Sequence, residues 1–206
     1  DCMPLPDKRH ADIEKHIRIL YLGRLVDFKG PDLVIKAFEE ACEKGLRGEL
    51  VMVGDGPLRI TCALLKERSK FNQRIQMLGA VPPAQTKQIR AGCDVFTAHN
   101  CKGPITGQEE AYGVSVREAM AEGLPVVTAR NGSLPELIED GVDGFLVEPG
   151  DIAAHADRLL LLQQSGEDWS RLRKAAWATV SRKNNAAVEK ENLDAIVREV
   201  RGRVVA

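Results

Sequence analysis

The chain has 206 residues, 44% hydrophobic and 29% charged, which suits one globular domain with a proper core and a helical appendage. Its 29 basic and 30 acidic residues leave a formal net charge of -1, so no global field holds a nucleic acid or an anionic membrane. Any anion must be met by a small local site. Five scattered cysteines (Cys2, Cys42, Cys62, Cys93, Cys101) lack CxxC spacing, which argues against a disulfide framework or zinc site and for reduced packing residues of a cytoplasmic protein.

Residues 1–16 read as a polar lead-in without the apolar stretch of a signal peptide, and the chain, lacking an initial Met, is expected to be a fragment. Short β-type runs then alternate with amphipathic helical ones. Ile17–Leu22 is a strand stopped by Gly23. Past the loop GRLVDFKG, Pro31 starts a helix whose face is Leu33, Val34, Ala37, Phe38 and Ala41, with Gly45 to end it. Leu50–Val53 is a strand closed by GDGP, and a helix spans 58–69. Arg74–Leu78 is a strand ending at Gly79, and a helix runs from Pro83 to about Ala91. Asp94–Ala98 is a strand, followed by a long loop from His99 to Tyr112. A helix over 114–122, the strand VVTA, the short helix LPELIED and the strand Phe145–Val147 complete the alternation. Beyond Asp151 the pattern is helical only, and no run approaches the ~20 apolar residues of a membrane span.

Six strands separated by helices predict an α/β fold: a Rossmann-like open parallel sheet with helices on both faces and a C-terminal helical extension. Residues 17–165 form the domain, and 166–206 the extension. Ligands of such sheets lie beyond the carboxyl ends of the strands. The loops GRLVDFKG, GDGP, LGAV and HNCKGPITGQEEAYG all fall at that edge.

The phosphate-loop signature GxxxxGK[ST] is absent, and GDGPLR offers only two of the three glycines of GxGxxG. Its glycines read as a tight turn rather than a dinucleotide fingerprint, which weighs against an NAD-dependent oxidoreductase. No DxD pair and no histidine cluster has metal-ligand spacing, so neither metal nor other cofactor is expected. Gly23, Arg24 and Lys29 share one glycine-bounded loop. A guanidinium fork and an ammonium together suit a diphosphate, with two solvated loop cations as the alternative.

In EEAYGVSVREAMAEGLPVV, Glu110 lies in the loop and Glu118 eight positions on, in the next helix. Between them Tyr112, Gly113, Val114 and Ser115 set backbone N–H groups at a helix N-terminus, an anion site by construction. A carboxylate such as Glu118 can accept both hydrogens of a ribose cis-diol, although either glutamate alone reads as an ordinary surface charge. Glu109 falls out of register and reads as a solvated loop charge. His99 reads as a plain loop histidine, with a sugar contact as the alternative. Trp169 and Trp177 read as packing residues.

This segment resembles the E-x7-E signature of retaining GT-B glycosyltransferases of the GT4 family, departing from the usual Phe at Tyr112. GRL…KG, GxGP, a strand ending in LG and GSLPELIEDGVDGFLVEPGD are similar to that family in the same order from about Ile17 to Asp151. The departures are Ala98, His99 and Asn100 where the family often has Pro-Ser, a longer loop CKGPITGQEE, and Ser133 where it often has glycine. The resemblance implies the C-terminal, donor-binding half of a two-domain enzyme. In it Arg24 and Lys29 contact the donor diphosphate, and Glu118 holds the ribose. Glu110 sits by the donor sugar, and backbone near Gly113 to Ser115 meets phosphate or sugar. Groups near Leu78, Gly79 and Val81 contact the base. It further implies a nucleotide-sugar donor as ligand and a missing N-terminal acceptor-binding domain as partner. Membrane contact would come only through that absent domain, at the inner face. The C-terminal helices are expected to pack on it, and the fragment alone is expected to be inactive. A regulatory nucleotide-sugar module and a glycogen- or sucrose-synthase-type enzyme are the alternatives.

Overall fold

The computed structural model describes Leu5 and residues 14–183; most of the lead-in and residues 184–206 of the C-terminal segment lie outside the described residues. Six strands are present: β1 (Ile17–Leu22), β2 (Gly48–Val53), β3 (Ile75–Gly79), β4 (Val95–Thr97), β5 (Val126–Ala129) and β6 (Phe145–Val147). They form one all-parallel sheet in the order β3-β2-β1-β4-β5-β6. The chain winds outward from β1 to one edge, then restarts at β4 on the other side. The carboxyl ends of β1 and β4 therefore flank the point where the winding reverses, which is where an open sheet leaves a crevice.

Each central strand is buried on both faces, so its side chains alternate between two cores. Ile17, Ile19, Tyr21, Leu50 and Met52 face one core, and Leu20, Val51 and Val53 face the other. Helices α1 (Pro31–Glu43), α2 (Arg59–Arg68) and α6 (Ile152–Gln164) cover the first face. Helices α3 (Pro83–Ala91), α4 (Val114–Ala121) and the single turn α5 (Leu134–Leu137) cover the second. Phe38 of α1 is fully buried, which stabilises by about 1.5–3 kcal/mol relative to exposure.

Helix α7 (Gly166–Lys183) differs from expectation. Its Trp169 and Leu172 enter the first core while Ala176 and Val180 enter the second, and the Trp169 indole donates to the Asp94 carbonyl at 3.1 Å. These four residues seat the first part of the extension on this domain, while residues 184–206 of it lie outside the described residues. Trp169 is packing, and Trp177 is half-buried. Among the described residues no helix is long and apolar enough to cross a membrane.

Candidate functional site

At the carboxyl edge, three loops are tied together by main-chain bonds. The Leu25 amide donates to the Asp55 carbonyl at 3.0 Å, Leu58 N–H to Leu25 O at 2.9 Å, and Gly54 N–H to Gly79 O at 2.8 Å. Gly54 has φ +136°, and a Cβ there would fall 1.9 Å from the Gly23 carbonyl oxygen. The glycine-rich turn thus serves backbone packing, as its broken fingerprint indicated. The Tyr21 hydroxyl donates to the Arg24 carbonyl at 2.8 Å, fixing the main chain there. The Arg24 side chain is exposed and makes no hydrogen bond or ion pair among the described residues.

Lys29 and Glu110 meet. Lys29 Nζ lies 2.8 Å from Glu110 Oε2, and both side chains are largely buried, at 19% and 9% exposure. Asn100 Nδ2 donates to the same oxygen at 3.1 Å, while Oε1 accepts from the Gly113 amide at 2.8 Å and more weakly from Tyr112 at 3.4 Å. Burial by itself raises the pKa of this carboxyl, but the Lys29 ammonium and the two amides outweigh it and hold Glu110 below the ordinary value. Its backbone is clamped as well: Glu110 N–H donates to Asn131 Oδ1 at 3.2 Å, and its carbonyl accepts from Ser133 N–H at 3.0 Å. Gly132, at φ +54°, passes so close that a Cβ would sit 1.9 Å from the Glu110 oxygen. Thr128 of β5 donates to Asn100 Oδ1 at 2.9 Å, which orients the Asn100 amide toward Glu110.

The long loop carrying Glu110 is stitched to the β1–α1 loop through Asp27. Its Oδ2 accepts from the Ile105 and Thr106 amides, each at 2.9 Å, and its Oδ1 from the Thr106 hydroxyl at 3.0 Å. These bonds, the Thr106 amide foremost, hold the Asp27 carboxyl below its usual range.

Beneath the same loop lies a pair of buried histidines. His99 is fully buried, and its Nε2 accepts from the Gly150 amide at 2.8 Å. Neutral His99 therefore carries its proton on Nδ1 and gives it to His155 Nδ1 at 2.8 Å. His155 must then be protonated on Nε2, which donates to Thr97 Oγ1 at 2.7 Å. His99, at the start of the loop after β4, is accordingly a buried residue that joins this loop to the Gly150 turn rather than a plain loop histidine.

The remaining expected residues spread along the rim. Gly113 caps α4 with φ +69°. Behind it the Val114 and Ser115 amides donate no hydrogen bond among the described residues. Tyr112, Val114 and Leu78 are exposed, at 55%, 56% and 45%, while Gly79 and Val81 are half-buried. Val81 packs against the core that contains Val116 and Met120 of α4, so the β3–α3 turn and α4 share one wall. Glu118, half-exposed on α4, is ion-paired at 2.9 Å to Arg90 of α3. Glu109 is exposed while Glu110 is buried. The structure thus joins Lys29, Glu110, Tyr112 and Gly113 directly. Among the described residues, Arg24 and Glu118 make no hydrogen bond or ion pair with that group. Asp27, Arg90, Thr128, Asn131 and His155 were not singled out in the sequence, and Asn100 was noted only as a departure from the family pattern; both asparagines lie two or three positions past a strand end, at Thr97 and Ala129.

The model of the family "Glycosyl transferases group 1" matches residues 6–178. The amylovoran biosynthesis glycosyltransferase AmsK of Erwinia amylovora is 30% identical over 185 residues, covering 90% of this chain and 45% of AmsK. The chain spans less than half the length of the curated relatives it matches. Among solved structures, Anabaena Alr3699/HepE in complex with UDP superposes with TM-score 0.76 at 23% identity, covering 92% of this chain and 50% of that one. The C-terminal domain of a group 1 glycosyl transferase (LpcC) from Francisella tularensis gives TM-score 0.73 at 22% identity, covering 88% of this chain and 95% of that one. The likeness to both shows the fold.

Proposed function

Because the chain belongs to the glycosyl transferases group 1 family, we propose that it is the donor-binding domain of a retaining, GT4-type GT-B glycosyltransferase. The enzyme moves a sugar from a nucleoside-diphosphate sugar to an acceptor held by an N-terminal domain. The observation that carries this reading is the buried Lys29–Glu110 pair, 2.8 Å apart, set beside the amide end of α4 on the strand-end rim.

Departure of a nucleoside diphosphate builds negative charge on its β-phosphate and positive charge on the sugar ring. Cations and amides fixed in advance stabilise the first, and a carboxylate held ionised stabilises the second. Lys29, Arg24 and the Val114 and Ser115 amides take the phosphate role, so no metal is required. Glu110 lies by the sugar. Its ionised state is the useful one there, and the contacts around it favour that state. Glu118 takes the ribose hydroxyls, and backbone near Leu78, Gly79 and Val81 takes the base. HepE, of like fold, is described in complex with UDP, and AmsK belongs to amylovoran biosynthesis. Both fit a nucleotide-sugar donor and a polysaccharide-type product. The domain spans residues 17–165, and the full-length protein works in the cytoplasm, peripheral to the inner membrane face.

A panel of UDP-, GDP- and ADP-sugars assayed by thermal shift and calorimetry tests the reading. One of the three stabilises the wild type, and Glu118→Ala weakens that binding while the chain alone transfers no sugar. Silence across the panel, or equal affinity for Glu118→Ala, contradicts it.

A further inference from the structure

Arg90 stands in the last turn of α3, with its side chain only 9% exposed. A buried guanidinium is retained only where it is paired, and both of its partners come from α4 and its end. Nε and Nη2 take Glu122 Oε1 at 3.0 and 2.9 Å, and Nη1 takes Glu118 Oε2 at 2.9 Å. The two glutamates are four residues apart, a like-charged pair that would repel on a helix surface without the cation between them. They are held unequally. Glu122 is 17% exposed and takes two of the guanidinium's bonds, whereas Glu118 is 49% exposed and takes one. Glu118 Oε1 has no partner among the described residues, so most of its acceptor sites stay open.

From this geometry we infer that Arg90 is a positioning residue for ribose recognition: anchored on Glu122, it holds one oxygen of Glu118 and leaves the other to accept the sugar hydroxyls of the nucleotide. The inference rests on the reading that Glu118 meets the ribose. An exposed glutamate samples several rotamers and loses that freedom when it grips a ligand; one already tethered loses less and binds more tightly. Arg90 also links the two elements concerned. Helix α3 continues directly from the turn with Leu78, Gly79 and Val81, and Ile89, its neighbour on that helix, packs on the same core as Val116 and Met120. The tether therefore sets the spacing between the base side and the ribose side of the rim.

The test is calorimetry with UDP and 2′-deoxy-UDP, or the GDP pair if GDP binds more tightly. In the wild type, UDP binds more tightly than its deoxy form. Arg90→Gln weakens UDP about tenfold, the size of coupling usual for contacting residues, and changes 2′-deoxy-UDP by less than about twofold. Added to Glu118→Gln, Arg90→Gln has no further effect. Arg90→Lys, which can hold one glutamate but not fork to both, falls between; it and Glu122→Gln carry the test if Arg90→Gln does not fold. Equal weakening of UDP and 2′-deoxy-UDP makes Arg90 a structural residue and overturns the inference, as does unchanged UDP affinity. If the wild type does not discriminate the two nucleotides, the ribose reading of Glu118 falls, and this inference with it. If Glu118→Gln abolishes discrimination and Arg90→Gln spares it, only the role of Arg90 falls.

Discussion

Mild acid is expected to destabilise this fold through the histidines beneath the site. His99 Nε2 is occupied by the Gly150 amide and its Nδ1 proton by His155, so an added proton on Nε2 must break a bond to the main chain. Burial lowers the His99 pKa from 6.5 to about 4, and burial together with the neighbouring His99 lowers His155 well below its ordinary value. Both folded-state values lie below those of the unfolded chain, which therefore takes up protons first as the pH falls. Stability is full above pH 6.5 and drops as the pH falls toward 4. At 1.36 kcal/mol per unit, His99 alone accounts for about 3 kcal/mol over that window, and His155 steepens the loss in the same direction. Glu110, held below its ordinary pKa, adds loss in the same direction as the pH falls through the carboxylate range. The interval from pH 6.5 to 5 thus isolates the histidines. Urea denaturation at half-unit steps from pH 8 to 5 measures the slope, and His99→Gln, whose amide oxygen can accept from Gly150, should lower it. A flat profile between pH 7 and 5 would refute the neutral, bond-saturated assignment.

Glu110→Gln removes the negative charge and should spare nucleotide affinity within about threefold while lowering transfer by the full-length enzyme about a hundredfold or more, as single-turnover assays would show. Asp27→Ala frees the Ile105 and Thr106 amides from their shared carboxylate, and limited proteolysis between Cys101 and Glu110 should become severalfold faster. Gly132→Ala forces a Cβ against the Glu110 carbonyl at a positive φ, for which a loss of about 2 kcal/mol or more, or roughly 4 °C or more in Tm, is expected by calorimetry.

The sheet was legible because two-sided burial writes itself as unbroken aliphatic runs. IRILYL and LVMV, punctuated by glycine, can hardly be anything but inner strands. The helix predicted over LPELIED was too long for a reason invisible to periodicity. The Asp143 carboxylate takes the Glu139 amide and Asp140 takes that of Leu146, and these local bonds compete with the helix and end it at Leu137. At the site, register separated Glu110 from Glu109, one buried and the other exposed. His99 was misread because its environment is decided by His155, 56 positions away, and the Arg90 tether to Glu118 spans 28 positions. Such partners lie on different elements, and a single chain read residue by residue carries no sign of which will meet. The start of the C-terminal helix was under-read for a related reason: its apolar residues are few but evenly placed, and Trp169, Leu172, Ala176 and Val180 suffice to bury that face on this domain.

The most direct measurement is a crystal structure of the chain with the nucleoside diphosphate that binds best. The pyrophosphate should lie within ~3 Å of Lys29 Nζ, the Arg24 guanidinium and the Val114 and Ser115 amides, with the ribose on Glu118. A nucleotide bound elsewhere, with Lys29 still closed on Glu110 and touching no phosphate, would contradict the account.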